Sequence, residues 1–248
     1  MNRNLAYIYF ILLSTLGNFV LKAQHNNIIS VSFSNNGQIQ EQLSNFYLPF
    51  PKTTFHNQNF LVNNTQQQKI NFSYERAITS NNYLGATFAM GNWSGNSTRN
   101  DGERIEEYRQ TFFQYSLTYN RIFQLNNKFV LIPEFAFTFF SINDFKAYTN
   151  PTYQFGERNY LDKVVSSGGE VYGTNFKTKL RYNILANFFV TTSLSVGLLY
   201  YDIGGTTTSL TTSFVNNEPV TNTLIFDKTL NKVTFSNPEL FIGLGISF

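Results

Sequence analysis

The chain has no cysteine, which excludes disulfides, a thiolate metal site and a lipid anchor on an N-terminal cysteine. Its two histidines, His25 and His56, are too few for a multi-histidine metal centre, and no cofactor is expected. Charged residues make up 13% of the sequence, against about a quarter in an ordinary soluble protein. The net charge of +3 is small and scattered along the chain. It forms no concentrated basic patch, so no nucleic-acid partner is expected. Beyond the N-terminal stretch there is no apolar run of about 18 residues, which argues against a helical membrane protein.

What the chain does have is aromatic side chains in alternation with small and polar ones. Aromatics reach 17%, with 27 Phe and 15 Tyr but one Trp. The mean hydropathy is nevertheless −0.21. A membrane barrel reconciles the two, because every lipid-facing residue on a strand is followed by one that faces the lumen. The C-terminus shows the pattern most plainly. Phe248, Ile246, Leu244, Ile242 and Leu240 alternate with Ser247, Gly245, Gly243, Phe241 and Glu239, giving strand periodicity with one greasy and one small or polar face.

The N-terminus reads as a secretory signal. Arg3 precedes an apolar stretch from Leu5 to Leu16, and the segment closes on Ala23. Residues 1–23 are expected to be removed, leaving 24–248 as the mature chain. Interruption by Asn18 makes the same segment a poor membrane anchor.

Eight alternating stretches follow: Ile28–Phe33, Lys69–Ile78, Tyr83–Gly91, Glu107–Arg121, Lys128–Ser141, Val171–Asn183, Phe188–Tyr201 and the C-terminal run. Short turns, each containing Asn, join the second to the third, the fourth to the fifth and the sixth to the seventh. Long segments, about 35–68, 92–106, 143–170 and 202–232, separate the others and read as loops. Thr206–Val215 and Val220–Phe226 could add a hairpin or extend the count to ten strands. Pro133 falls inside the fifth stretch, where a missing N–H predicts a local bulge. Tyr119, Tyr182, Phe188 and Phe248 fall near the turn ends of the strands, and Phe139, Tyr172 and Tyr200 near the loop ends, as two aromatic girdles would require.

The strict alternation of long and short connections predicts an all-β, eight-stranded antiparallel up-and-down transmembrane barrel with four long extracellular loops. A secreted β-sandwich has less reason for that rhythm. At this point the chain resembles the small bacterial outer-membrane barrels of the OmpA-transmembrane and OmpX type, through the whole pattern and the terminal Ile246-Ser247-Phe248. The resemblance implies outer-membrane localisation after export, contact with outer-membrane lipid and lipopolysaccharide, and recognition of Leu244, Ile246 and Phe248 by the barrel-assembly machinery. It does not imply the anchoring role that a periplasmic domain gives the longer members.

Strand phase turns Glu75, Glu134, Glu239, Lys177, Lys179 and Arg181 inward. An eight-stranded barrel is just wide enough for side chains to fill it. These charges are therefore expected to pair and close the lumen, although a narrow porin-like path for ions or small solutes stays open as an alternative. A lipid-modifying enzyme is a further alternative that depends on His56 as base, and no motif joins it to a nucleophile. The aromatic-rich loops are the expected surface for an unknown ligand or partner. No catalytic or metal site is expected.

Overall fold

A computed structural model describes residues 27–35, 37–47, 60–99, 104–151, 161–215 and 218–248. The expected signal segment, His25 and His56 lie outside the described residues. In chain order the elements are β1 (Asn27–Ser34), α1 (Gln40–Tyr47), β2 (Phe60–Ala77), β3 (Asn82–Arg99), β4 (Arg104–Arg121), β5 (Phe123–Gln124), β6 (Phe129–Ile142), β7 (Phe145–Pro151), β8 (Leu161–Ser166), β9 (Gly169–Asn183), β10 (Phe188–Val215), β11 (Glu218–Phe235) and β12 (Glu239–Ser247).

Eight of these close on themselves. The order around the wall is β1, β2, β3, β4, β6, β9, β10, β12 and back to β1, and every pairing is antiparallel. Closure removes the unpaired sheet edges that hydrocarbon would not tolerate. The fold is thus all-β, an eight-stranded closed antiparallel barrel, and the ten-strand arrangement does not form.

Period two dictates the two faces of the wall. On β1, Ile29, Val31 and Phe33 point out, and Ile28 and Ser34 are buried inside. On β12, Leu240, Ile242, Leu244 and Ile246 are exposed, while Glu239 and Phe241 are buried. The same alternation runs through β6, where Phe135 and Phe137 are exposed and Glu134, Ala136 and Thr138 are buried. The outer surface is therefore an apolar belt. At the turn end its tyrosines reach polar partners: Tyr74 donates to Asn27 Oδ1 and Tyr119 to Asn82 Oδ1, each at 2.9 Å.

The strands run well past the ends that alternation marks. Above the rim the strict alternation of apolar and polar residues ends, but backbone pairing continues. β2 starts at Phe60, β3 reaches Arg99, and β10 and β11 pair as far as Val215 and Glu218. The segment 143–170 holds a hairpin of its own. There β7 pairs with the upper part of β4, and β8 with the upper part of β10. This hairpin takes over the wall where β6 and β9 stop, so β4 and β10 each change partners. Gly204, at φ 99°, lies at that junction, where its N–H reaches Gly168 O at 2.7 Å. A side chain there would meet the Lys228 carbonyl, so only glycine fits.

β11 and β12 are one broken strand. Both pair with β10, and the break falls at Ser236-Asn237-Pro238. Ser236 holds it: its N–H donates to Gly197 O at 2.8 Å, and its Oγ accepts from Gly197 N–H at 2.7 Å.

No bulge falls at Pro133. The register between β6 and β9 runs unbroken through Pro133 and Thr178. The interruption is on the other side, where the ladder with β4 ends at Asn120 and resumes at Phe123 of β5. A gap in the ladder suits a residue with no N–H to give.

Candidate functional site: three layers inside the lumen

The floor of the lumen lies at the turn end. Ile28, Tyr83 and Phe189 form a buried cluster, backed by Ala77 and Ile122. Gly245 makes room for the Phe189 ring, which occupies the space a side chain there would take. The Arg181 guanidinium sits 4.9 Å over the same ring.

The middle layer is ionic. Lys179 Nζ lies 2.6 Å from Glu75 Oε1 and 2.5 Å from Glu134 Oε2, and Lys177 lies 3.3 Å from the other oxygen of Glu134. Lys69 lies 2.6 Å from Glu239 Oε2 and donates to Gln114 Oε1 at 3.0 Å. The Ser34 hydroxyl donates to the other oxygen of Glu239. The Phe241 ring lies between two ammonium groups, 4.9 Å from Lys69 and 4.7 Å from Lys177, a cation–π contact on a desolvated ring. Gln114, Ser116, Thr138 and Asn175 carry hydrogen bonds upward to Gln38, whose amide donates to Asn175 Oδ1 at 3.1 Å and Ser195 Oγ at 2.9 Å. The space left among these groups is a cavity of about 10 Å³, hardly room for one water.

The roof is α1. Ile39, Leu43, Phe46 and Tyr47 recur at i, i+4, i+7 and i+8, which puts them on one face of a helix. That face is buried against Trp93, Tyr108, Phe112, Phe145, Leu199 and Tyr201. Burial of each such aliphatic or aromatic side chain contributes about 1.5–3 kcal/mol. An eight-residue helix does not persist alone in water, so the chamber walls hold it. At its C-terminal end Lys228 donates to the Phe46 carbonyl and covers the Phe46 ring at 4.9 Å. Burial pulls the Lys228 ammonium below its ordinary pKa. The Tyr47 hydroxyl donates to Ser167 O at 2.8 Å, and burial pushes its pKa up to about 12.

No family model matches the chain, and no curated protein matches it. Solved structures do. A major outer membrane protein from Thermus thermophilus is similar over 90% of this chain and 99% of that one, at 9% identity and a TM-score of 0.51. Ail, the attachment invasion locus protein of Yersinia pestis, covers 90% and 99% at 11% identity with a TM-score of 0.36. Outer membrane protein W of E. coli covers 92% and 100% at 12% identity with a TM-score of 0.35. The chain has the fold of the small bacterial outer-membrane barrels.

Of the six charged side chains that strand phase turns inward, the outer-membrane-type barrel places five in ion pairs, with Lys69 as a further partner. Arg181 is the exception: it has no ion pair among the described residues, and its Nε has no hydrogen-bond partner. Lys69 was legible, since it shares a face with Asn71, Ser73 and Glu75 at spacing two. The spacing of Ile39, Leu43, Phe46 and Tyr47 likewise announces α1 inside a stretch read as loop. Leu244 and Ile246 project outward from β12, and Phe248 exchanges backbone hydrogen bonds with Asn27 at 2.7 and 2.9 Å.

Proposed function

We propose that this chain is an integral outer-membrane barrel that neither conducts nor catalyses, and that it works through the strands and hairpins above its loop-end rim. The closed lumen carries this reading. The cavity among the ion pairs holds about 10 Å³, too little for a hydrated ion. The apolar outer belt supports the location, because a barrel with this surface is stable only where lipid covers it. Residues 1–23 are the export signal in this reading, lipopolysaccharide and phospholipid are the immediate surroundings, and Leu244, Ile246 and Phe248 present the closing strand to the assembly machinery. The tall β10–β11 hairpin, with Leu224 and Ile225 exposed, offers apolar surface to a partner.

The test is single-channel conductance of the refolded chain 24–248 in planar bilayers, after heat-modifiable gel migration has shown a folded barrel. The expected record is silent. A steady opening that changes when Lys179 is replaced by Glu would overturn the closed-lumen reading in favour of a porin-like path.

A further inference from the structure

Three inward residues stand side by side beneath α1. Gln67 of β2 pairs with Trp93 of β3, and Trp93 pairs with Gln110 of β4. All three are buried, with 0%, 0% and 1% of their surface exposed. Each leaves polar atoms without a partner: both amide atoms of Gln67, Nε1 of Trp93 and Oε1 of Gln110. The Gln67 amide presses against the chain at Gly37 without bonding to it. Buried polar groups are nearly always satisfied, so a row of three with unmet donors and acceptors asks for an explanation.

The aromatic walls supply the other half. Trp93 lies 4.8 Å from Tyr108 and 5.8 Å from Phe145, ring centre to ring centre. The Tyr47 ring of α1 is stacked on Phe145 at 4.6 Å with 11° between planes. A flat six-membered ring bearing a hydroxyl thus already occupies this chamber, and it comes from the protein's own short helix. The walls are aromatic and aliphatic; the charges nearest to them are Lys228, over the Phe46 ring, and Asp144, whose charge reaches Tyr47.

We propose that the loop-end chamber is a binding site for a neutral, hydroxyl-bearing six-membered ring, and that Tyr47 of α1 holds its place in the closed structure. The ring stacks on Phe145 and Trp93. Its hydroxyls, donors and acceptors at once, satisfy the Gln67 amide, Trp93 Nε1 and Gln110 Oε1. The atoms left unpaired are neutral amide and indole groups, which suit neutral hydroxyls and would not offset a net charge on the ligand. The helix is short enough to be displaced, since its stability comes from the docking contacts that the ligand replaces.

Trp93 is the single tryptophan of the chain, so its emission reports on this site alone. The refolded barrel in detergent is titrated with neutral hexopyranoses, with phenol and with a sugar acid, and Trp93 emission is followed. A saturable shift with hexoses alone assigns a sugar, and one with phenol alone assigns an aromatic alcohol. Gln67→Ala is expected to weaken binding about fivefold to tenfold, the loss that goes with neutral hydrogen bonds. Tyr47→Ala removes the stand-in and is expected to tighten binding about tenfold. The opposite directions separate the proposal from simple misfolding, which heat-modifiable migration checks in each variant. No saturable shift in either the parent or Tyr47→Ala overturns the proposal. So does equal binding of the sugar acid, unchanged affinity in Gln67→Ala, or weaker binding in Tyr47→Ala.

Discussion

Lys179 is the side chain whose loss the barrel should feel most. Its ammonium bridges Glu75 and Glu134 at 2.6 and 2.5 Å, and all three side chains are largely shielded from water. Lys179→Met keeps the length of the side chain and deletes the charge. Removing one partner of a buried pair costs about 3–5 kcal/mol, because the remaining charge is stranded. The two carboxylates are not stranded equally. Glu134 keeps Lys177 at 3.3 Å, whereas Glu75 keeps no other ion pair among the described residues. Most of the loss therefore belongs to Glu75, and Lys179→Met with Glu75→Gln should recover most of it. The assay is reversible urea or guanidinium unfolding in phospholipid vesicles, followed by far-ultraviolet circular dichroism. A loss below about 1 kcal/mol in the single variant would place the network in the class of exposed surface pairs. A further loss on adding Glu75→Gln would equally refute the assignment of the stranded charge.

Ser236→Ala leaves the Gly197 N–H without its buried acceptor and should cost about 1–3 kcal/mol in the same unfolding assay. A neutral result would mean that the backbone bond to Gly197 O holds the break between β11 and β12 unaided. Gly245→Val drives a side chain into the Phe189 ring and should cost about 1–3 kcal/mol by overpacking, with Phe189→Ala relieving the clash in the double variant. If the double variant is the less stable of the two, the floor does not depend on that contact. Tyr47 gives α1 a pH limit. Its pKa is raised from 10.0 to about 12 in the folded state, so its contribution is complete below pH 10 and is lost as pH rises through about 12. Trp93 emission should move across that interval in the parent and stay level in Tyr47→Phe.

The wall was legible because one rule governs it. Ile29 and Ile28, Leu240 and Phe241, Phe135 and Glu134 separate by parity alone, and lipid outside with a packed lumen inside enforces parity across the whole belt. Strand ends were not legible. From Asn63 to Gln68 the chain is polar on both faces, so nothing in its pattern distinguishes a paired strand from a loop. The same composition hid α1, whose four apolar residues are outnumbered by polar neighbours although their helical spacing is present. That Arg181 has no ion pair among the described residues depends on which residues meet across the lumen, and strand phase says only which way a side chain points.

The Lys69–Glu239 pair has a consequence in time. Lys69 belongs to the second strand of the barrel, and Glu239 to the last, with β1 between them. The two meet only when the ends of the chain meet. Until then Lys69 has Gln114 of β4 as an acceptor but no carboxylate, and Glu239 has no ammonium. The stabilisation of the pair, with the Ser34 hydroxyl as its third member, is withheld until the seam shuts. A barrel with a missing or misregistered last strand therefore forfeits it entirely, so the ion pair acts as a clasp that rewards completed closure and leaves a nearly closed sheet free to reopen and try again.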